Sequence, residues 1–129
     1  MKISLVSIPV QDAVKAHEIY TSKLGFISKE FDADAHIAIV VSAEDPKGTA
    51  ILLEPCQGTF AEKYQKAAYE ENLPIMVFSV NNVEAELERL ESAGVKLRPE
   101  LDNPNWGLKN MFEDGCGNFL MIDDVSVNQ

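Results

Sequence analysis

The chain is short of cysteine, histidine and positive charge, and each shortage closes off a class of function. Its two cysteines, Cys56 and Cys116, have no CxxC spacing, and its two histidines, His17 and His36, lie near neither. A zinc centre of the Cys/His type is not expected, and two free thiols are expected rather than a disulfide, in keeping with a cytosolic setting. Cys116 has no basic neighbour in sequence to lower its pKa, so a nucleophilic role is not expected either. Lys and Arg number 11 against 21 Asp and Glu, a net charge of −10, and the basic residues are scattered singly. Nucleic acid and anionic membranes are poor partners for such a surface. No apolar run approaches the roughly 20 residues of a membrane span. Met1-Lys2-Ile3-Ser4-Leu5-Val6 carries one basic residue and its apolar stretch is broken at Ser7 and Pro9, which reads as a first strand and not as a secretory leader. A glycine-rich phosphate loop and a nucleophile elbow are also missing.

What is present is a balanced composition and an internal repeat. The chain has 129 residues, 46% hydrophobic and 25% charged, the proportions of one soluble domain with an ordinary core. The stretch from Glu44 to Glu54 aligns without a gap on Glu113 to Asp123, an offset of 69 (113 less 44). Each copy has an acidic pair, a turn closed by glycine (Gly48 or Gly117) and a strand ending in a carboxylate. Upstream, Ile8-Pro9-Val10-Gln11-Asp12 aligns on Phe78-Ser79-Val80-Asn81-Asn82 with an offset of 70 (78 less 8). Each of these is a strand running into a helix N-cap, Asp12 in one copy and Asn82 or Asn81 in the other. The helices end alike at Leu24-Gly25-Phe26 and Ala93-Gly94-Val95, where the offset is 69 (94 less 25), so one residue is expected to be lost inside the helix. The organisation is one domain, 1–129, made of a first module 1–58, a polar linker helix 59–72 and a second module 73–129.

Periodicity fills in the elements. Strands are expected at 2–9, 26–31, 36–42 and 49–54, with a helix over 12–24 that places Ala13, Ala16, Tyr20 and Leu24 on one stripe. The second module repeats the order, with strands at 74–80, 95–99, 106–112 and 118–123 and a helix over 82–93. The fold class is thus α+β: two βαβββ modules in tandem, forming a cupped mixed sheet with helices on its convex face. Strand parity puts Val6, Ile8, Ile51, Leu53, Met76, Phe78, Leu120 and Ile122 under the helices. The opposite face carries Leu5, Ser7, Ala50, Leu52, Glu54, Ile75, Val77, Ser79, Phe119, Met121 and Asp123, apolar in the middle and polar toward one end. Such a surface suits a small-molecule cavity, or burial against another subunit.

These features resemble the vicinal oxygen chelate superfamily, which includes glyoxalases, extradiol dioxygenases and bleomycin-resistance proteins. The resemblance rests on Val10-Gln11-Asp12 before a helix that runs into Tyr20-Thr21-Ser22-Lys23-Leu24-Gly25-Phe26. It rests also on Val80-Asn81-Asn82-Val83 with Leu90 through Gly94, and on Trp106-Gly107 leading to Phe112-Glu113-Asp114-Gly115-Cys116-Gly117-Asn118. The last stretch is similar to the family's Asp-Pro-x-Gly-Asn turn, with Gly115 and Cys116 as departures. The resemblance covers nearly the whole chain and implies a homodimer, with one divalent metal held on the concave face by His and Glu from four strands. Mapped onto this sequence, the four ligand positions fall on Leu5, Leu52, Ile75 and Met121, and none offers a ligand for a hard or borderline metal. No metal cofactor is therefore expected.

The resulting candidates are few. Leu5, Ser7, His36, Leu52, Glu54, Ile75, Trp106, Phe112 and Met121 are the expected ligand-binding set, the two aromatics by stacking on a planar ligand if they face the cavity. Glu54, Asp123 and His36 are weak candidates for an acid/base or displaced metal site. His17, at the edge of the apolar helix stripe, reads as a satisfied histidine at the helix–sheet boundary. Three functions stay open: a metal-free binder of a small, partly aromatic molecule, a lyase, isomerase or dioxygenase with a relocated site, and a dimeric interaction module without a ligand.

Overall fold

The structure, a computed structural model, describes residues 1–125, so the last four residues of the expected second module lie outside it. Two compact units are present: the first is Met1–Tyr64 and the second begins at Gln65.

The first unit runs β1 (Leu5–Val10), α1 (Ala13–Ser22), β2 (Ile27–Asp32), β3 (Ile37–Val41) and β4 (Ala50–Pro55). Its sheet has the order β1-β4-β3-β2, with β1 and β4 parallel and the other pairs antiparallel. Asp12 starts α1: its side chain accepts from the backbone N–H of Val14 and Lys15 at 2.9 and 3.1 Å, filling two donors that the first turn leaves empty. The helix lays Ala13, Ala16 and Tyr20 against the sheet, and all three are buried together with Ile8, Val10, Ala38, Val40 and Leu53. The two alanines let the helix approach closely, and Tyr20 fills the remaining space. His17 stacks on Phe31 at 4.0 Å and shares a 2.8 Å hydrogen bond with Ser28, so it is satisfied at the helix–sheet boundary as expected.

α2 (Phe60–Glu70) starts in the first unit and ends in the second, which continues with β5 (Pro74–Val80), α3 (Val83–Ser92), β6 (Met111–Glu113) and β7 (Phe119–Asp124). The second sheet has the order β5-β7-β6, again with a parallel first pair. β5, β7 and β6 stand where β1, β4 and β3 stand in the first unit, so the tandem βαβββ plan holds. Asn82 caps α3 through Ala85 N–H at 3.0 Å. Both helices have ten residues and keep the offset of 70 at both ends (83 less 13, 92 less 22). The lost residue is therefore not inside the helix. It lies in the turn after it, where Lys23 and Leu24 precede Gly25 but Ala93 alone precedes Gly94.

The second unit departs from the first where prolines intervene. The strand expected at 95–99 is reduced to one bridge, Leu97 to Phe112, flanked by Arg98 N–H to Met111 O at 2.8 Å and Glu113 N–H to Lys96 O at 2.9 Å. Pro99 has no N–H to extend this ladder, and the chain turns instead through two short 3-10 turns, Pro99–Leu101 and Pro104–Trp106. The strand expected at 106–112 consequently begins only at Met111.

The turn before β7 is a hydrogen-bonded hub. The buried Asp114 carboxylate accepts from Cys116 N–H at 2.7 Å, Asn118 N–H at 3.1 Å and Asn118 Nδ2 at 2.8 Å. From α2, buried Gln65 donates Nε2 to Cys116 O and Asn118 Oδ1, both at 3.1 Å. Three buried polar side chains thus satisfy one another, which removes the penalty of burying them singly. Cys56 and Cys116 are both buried and form no disulfide, the thiol state expected.

Two glycines in left-handed conformation separate backbone strain from packing. A Cβ on Gly94 (φ +89) meets nothing within 4 Å, whereas one on Gly117 (φ +99) lies 2.9 Å from the Gln65 amide. Gly94→Ala should cost about 1–2 kcal/mol from the backbone alone. Gly117→Ala should cost about 1–3 kcal/mol more, because it disrupts the buried amide network. Denaturant unfolding of the two variants measures the difference, and equal losses would show that Gln65 does not hold the turn.

Candidate functional site

In the first unit, the sheet face away from α1 is built in cross-strand rows. One row holds Leu5, Ala50, Val41 and Ile27, and the next holds Ser7, Leu52, Ile39 and Glu30. Further along, the same alternation puts Pro9 level with Glu54, and Ile37 level with Asp32. The opposite parity is confirmed by Ser28 and Phe31, both in contact with His17 of α1. Ala50 and Val41 are buried, but Leu5 and Ile27 at the ends of their row are 48% and 41% exposed, and Leu52, Ile39 and Ile37 are half-buried. An apolar floor is thus left partly uncovered, passing into carboxylates at one end.

In the second unit the corresponding face is covered over β6 and β7, while Val77 of β5, level with Met121, stays 46% exposed. Met111 pairs with Met121 and Glu113 with Phe119, and Met111, Phe119 and Met121 form a buried cluster against which Leu101 and Leu108 pack. These two leucines come from the proline-bearing segment that replaced a regular strand. Both are partly buried, so each contributes less than the roughly 1.5–3 kcal/mol of full burial, still in favour of keeping the segment over the sheet. Tyr69 stacks on Phe119 at 4.4 Å, and the Arg98 guanidinium lies 5.2 Å from the same ring. Glu113 ties these groups together: it accepts from the Tyr69 hydroxyl at 2.7 Å and from Arg98 at 2.9 Å, with Lys96 Nζ at 3.8 Å. Arg98 also donates to Glu100.

The sequence candidates distribute unevenly over this geometry. Leu5, Ser7, Leu52 and Glu54 share the open face of the first unit. His36 does not open a strand: it sits exposed at φ 55 in the β2–β3 turn, one residue before β3, where Asp32 accepts from Asp34 and Ala35 N–H. Ile75 falls at a bulge between Pro74 and Met76, which takes it out of the β5–β7 pairing. Met121 is in the covered cluster, only 7% exposed. Phe112 pairs with Leu120 and not with Met121, so parity puts it on the other face, buried. Its expected place beside a ligand is corrected to the core. Trp106 ends a 3-10 turn instead of starting a strand and is 72% exposed. Asp123 accepts from Ser79 at 2.7 Å. The Glu113–Arg98–Tyr69 group was not among the candidates; the carboxylate was legible only as half of a repeated acidic pair.

A family model described as the Glyoxalase/Bleomycin resistance protein/Dioxygenase superfamily matches residues 2–122. The chain belongs to that superfamily. The uncharacterized protein YurT of Bacillus subtilis (strain 168) is 40% identical over 124 residues, 95% of this chain and 98% of its own. Among solved structures, UcmS2 is similar with a TM-score of 0.72 and 26% identity, covering 95% of this chain and 96% of its own. TnmS3, an antibiotic binding protein from Streptomyces sp. CB03234, shares the fold at a TM-score of 0.67 and 24% identity, covering 96% of this chain and 95% of its own. The superfamily's metal finds no matching donors at its four mapped positions: Leu5, Leu52 and Ile75 carry only hydrocarbon, and Met121 offers a thioether buried among Met111 and Phe119.

Charge on Glu113 carries a pH dependence. Burial alone would raise its pKa, but the Tyr69 hydroxyl, Arg98 and Lys96 together hold it below its ordinary value of 4.5. Stability from this group is therefore present above the unfolded value and is lost as pH falls through the lower folded one. Glu113→Gln should cost about 1–3 kcal/mol at neutral pH, by leaving Arg98 with a weaker partner. It should also flatten the loss of stability below about pH 4.5, the unfolded carboxylate range. Urea unfolding between neutral and acid pH checks both, and an unchanged acid limb contradicts the assignment.

Proposed function

We propose that the protein binds a small, partly aromatic organic molecule on the open sheet face of its first unit, without the superfamily's divalent metal. One observation carries this reading: the only sequence candidates that share an open face are Leu5, Ser7, Leu52 and Glu54, on a floor that is mainly hydrocarbon. Such a floor rewards a flat apolar ligand through desolvation and offers no oxygen or nitrogen donors at Leu5 and Leu52 for a cation. Among the described residues, no three His, Cys, Asp or Glu gather closely enough to hold a metal ion. TnmS3 supports the reading by analogy of fold alone.

The homodimer implied by family resemblance is part of this proposal. β1 and β5 are edge strands of their sheets, so a second copy has backbone edges to meet. A relocated catalytic site on Glu54, Asp123 and His36 gains no such support, since Asp123 is engaged by Ser79 and His36 lies in a hairpin turn.

Two measurements on one extensively dialysed sample test the proposal. Elemental analysis should find no stoichiometric metal, and thermal unfolding should shift upward by a few degrees with some members of a panel of planar aromatic compounds. One tightly held Ni, Zn, Mn or Fe per chain, or no shift with any member, would overturn it.

A further inference from the structure

The open face of the first unit is graded in charge as well as in polarity. At one end its row is Leu5, Ala50, Val41 and Ile27, all apolar. The next row adds Glu30 to Ser7, Leu52 and Ile39, and the far end carries Glu54 and Asp32. All three carboxylates are exposed, and the one basic residue within these four strands is Lys29, at the bulge between Ser28 and Glu30, so the carboxylates outnumber it three to one. Glu30 on β2 and Glu54 on β4 stand on either side of β3, two strand spacings across and two residues along, about 12 Å apart. That spread is too wide to chelate one metal ion, in line with the lack of any metal-holding group among the described residues. It sets a negative field over the polar end of an apolar floor, which complements a flat ligand whose charge sits at its edge.

We infer that the occupant of this face is a planar organic cation, its rings on Leu5, Leu52 and Ile39 and its positive edge toward Glu30 and Glu54. This rests on the small-molecule reading above and narrows it to one charge class. The covered face of the second unit, closed by Leu101 and Leu108, takes no part.

The test compares two flat three-ring probes of opposite charge, proflavine (cationic) and anthraquinone-2-sulfonate (anionic), by calorimetric titration at low salt. Proflavine should bind at least about fivefold tighter, the size that two exposed charge pairs supply together. The Glu30→Gln/Glu54→Gln double variant should lose that preference while keeping its thermal unfolding temperature. A Glu84→Gln/Glu88→Gln control on α3 changes net charge equally and should keep the preference. Equal binding of the two probes, an unchanged preference in the first variant, or an equal loss in the control would overturn the inference and leave small-molecule binding standing. Binding of neither probe would overturn the inference, and the panel of planar compounds would then decide the small-molecule reading by itself.

Discussion

The parallel ladder of β1 on β4, with Ser7 opposite Leu52 and Ile8 opposite Leu53, is the constraint on which the rest of the first unit depends. Side chains alternate along a strand, so a slip of one residue would send Ile8 and Leu53 out to solvent and Ser7 in under α1. The buried partners fix the choice. Ala13, Ala16 and Tyr20 are buried together with Ile8, Val40 and Leu53, and Asp12 sets where their helix begins. Once that face is committed to the helix, the remaining face is whatever alternation leaves: Leu5, Leu52 and Ile39, with carboxylates at one end. The candidate site is thus a by-product of core register, tuned by residues the core does not need.

The second unit obeys the same ladder but spends its outer face differently. Pro99 and Pro104 stop the chain from adding a regular strand, and the displaced segment folds Leu101 and Leu108 onto Met111, Phe119 and Met121. Glu113, Tyr69 and Arg98 then lock one side of that cover through charge-assisted hydrogen bonds. Two units from one repeated plan therefore diverge in use. One sheet face is closed over β6 and β7 by its own chain, and the other is left partly open.

Much of this was legible in the residues. The repeat, the caps at Asp12 and Asn82, the lack of a disulfide, the place of His17 and the split of the faces all follow from local chemistry and a period of two. What escaped was nonlocal. Pro99 lay at the end of an otherwise plausible strand, and only the lost ladder shows its weight. Phe112 continued an alternation counted from Trp106, but Gly107 and Asn110 adopt positive φ and break the count before β6 begins. Gln65 looked like one more polar residue of a linker helix, although Ala61, Ala68 and Tyr69 around it already marked an inward stripe. Nothing local to Ile75 or Met121 signalled that a bulge takes the first out of the ladder and that a covering segment buries the second.

Ligand chemistry is proposed to belong to the first unit's outer sheet face. Methyl NMR during titration with proflavine tests this most directly, since Leu5, Ile39 and Leu52 report from that face and Met111, Met121 and Leu101 report from the covered cluster. Saturable shifts confined to the first set are expected. Shifts confined to the second set, or none in either, would contradict it.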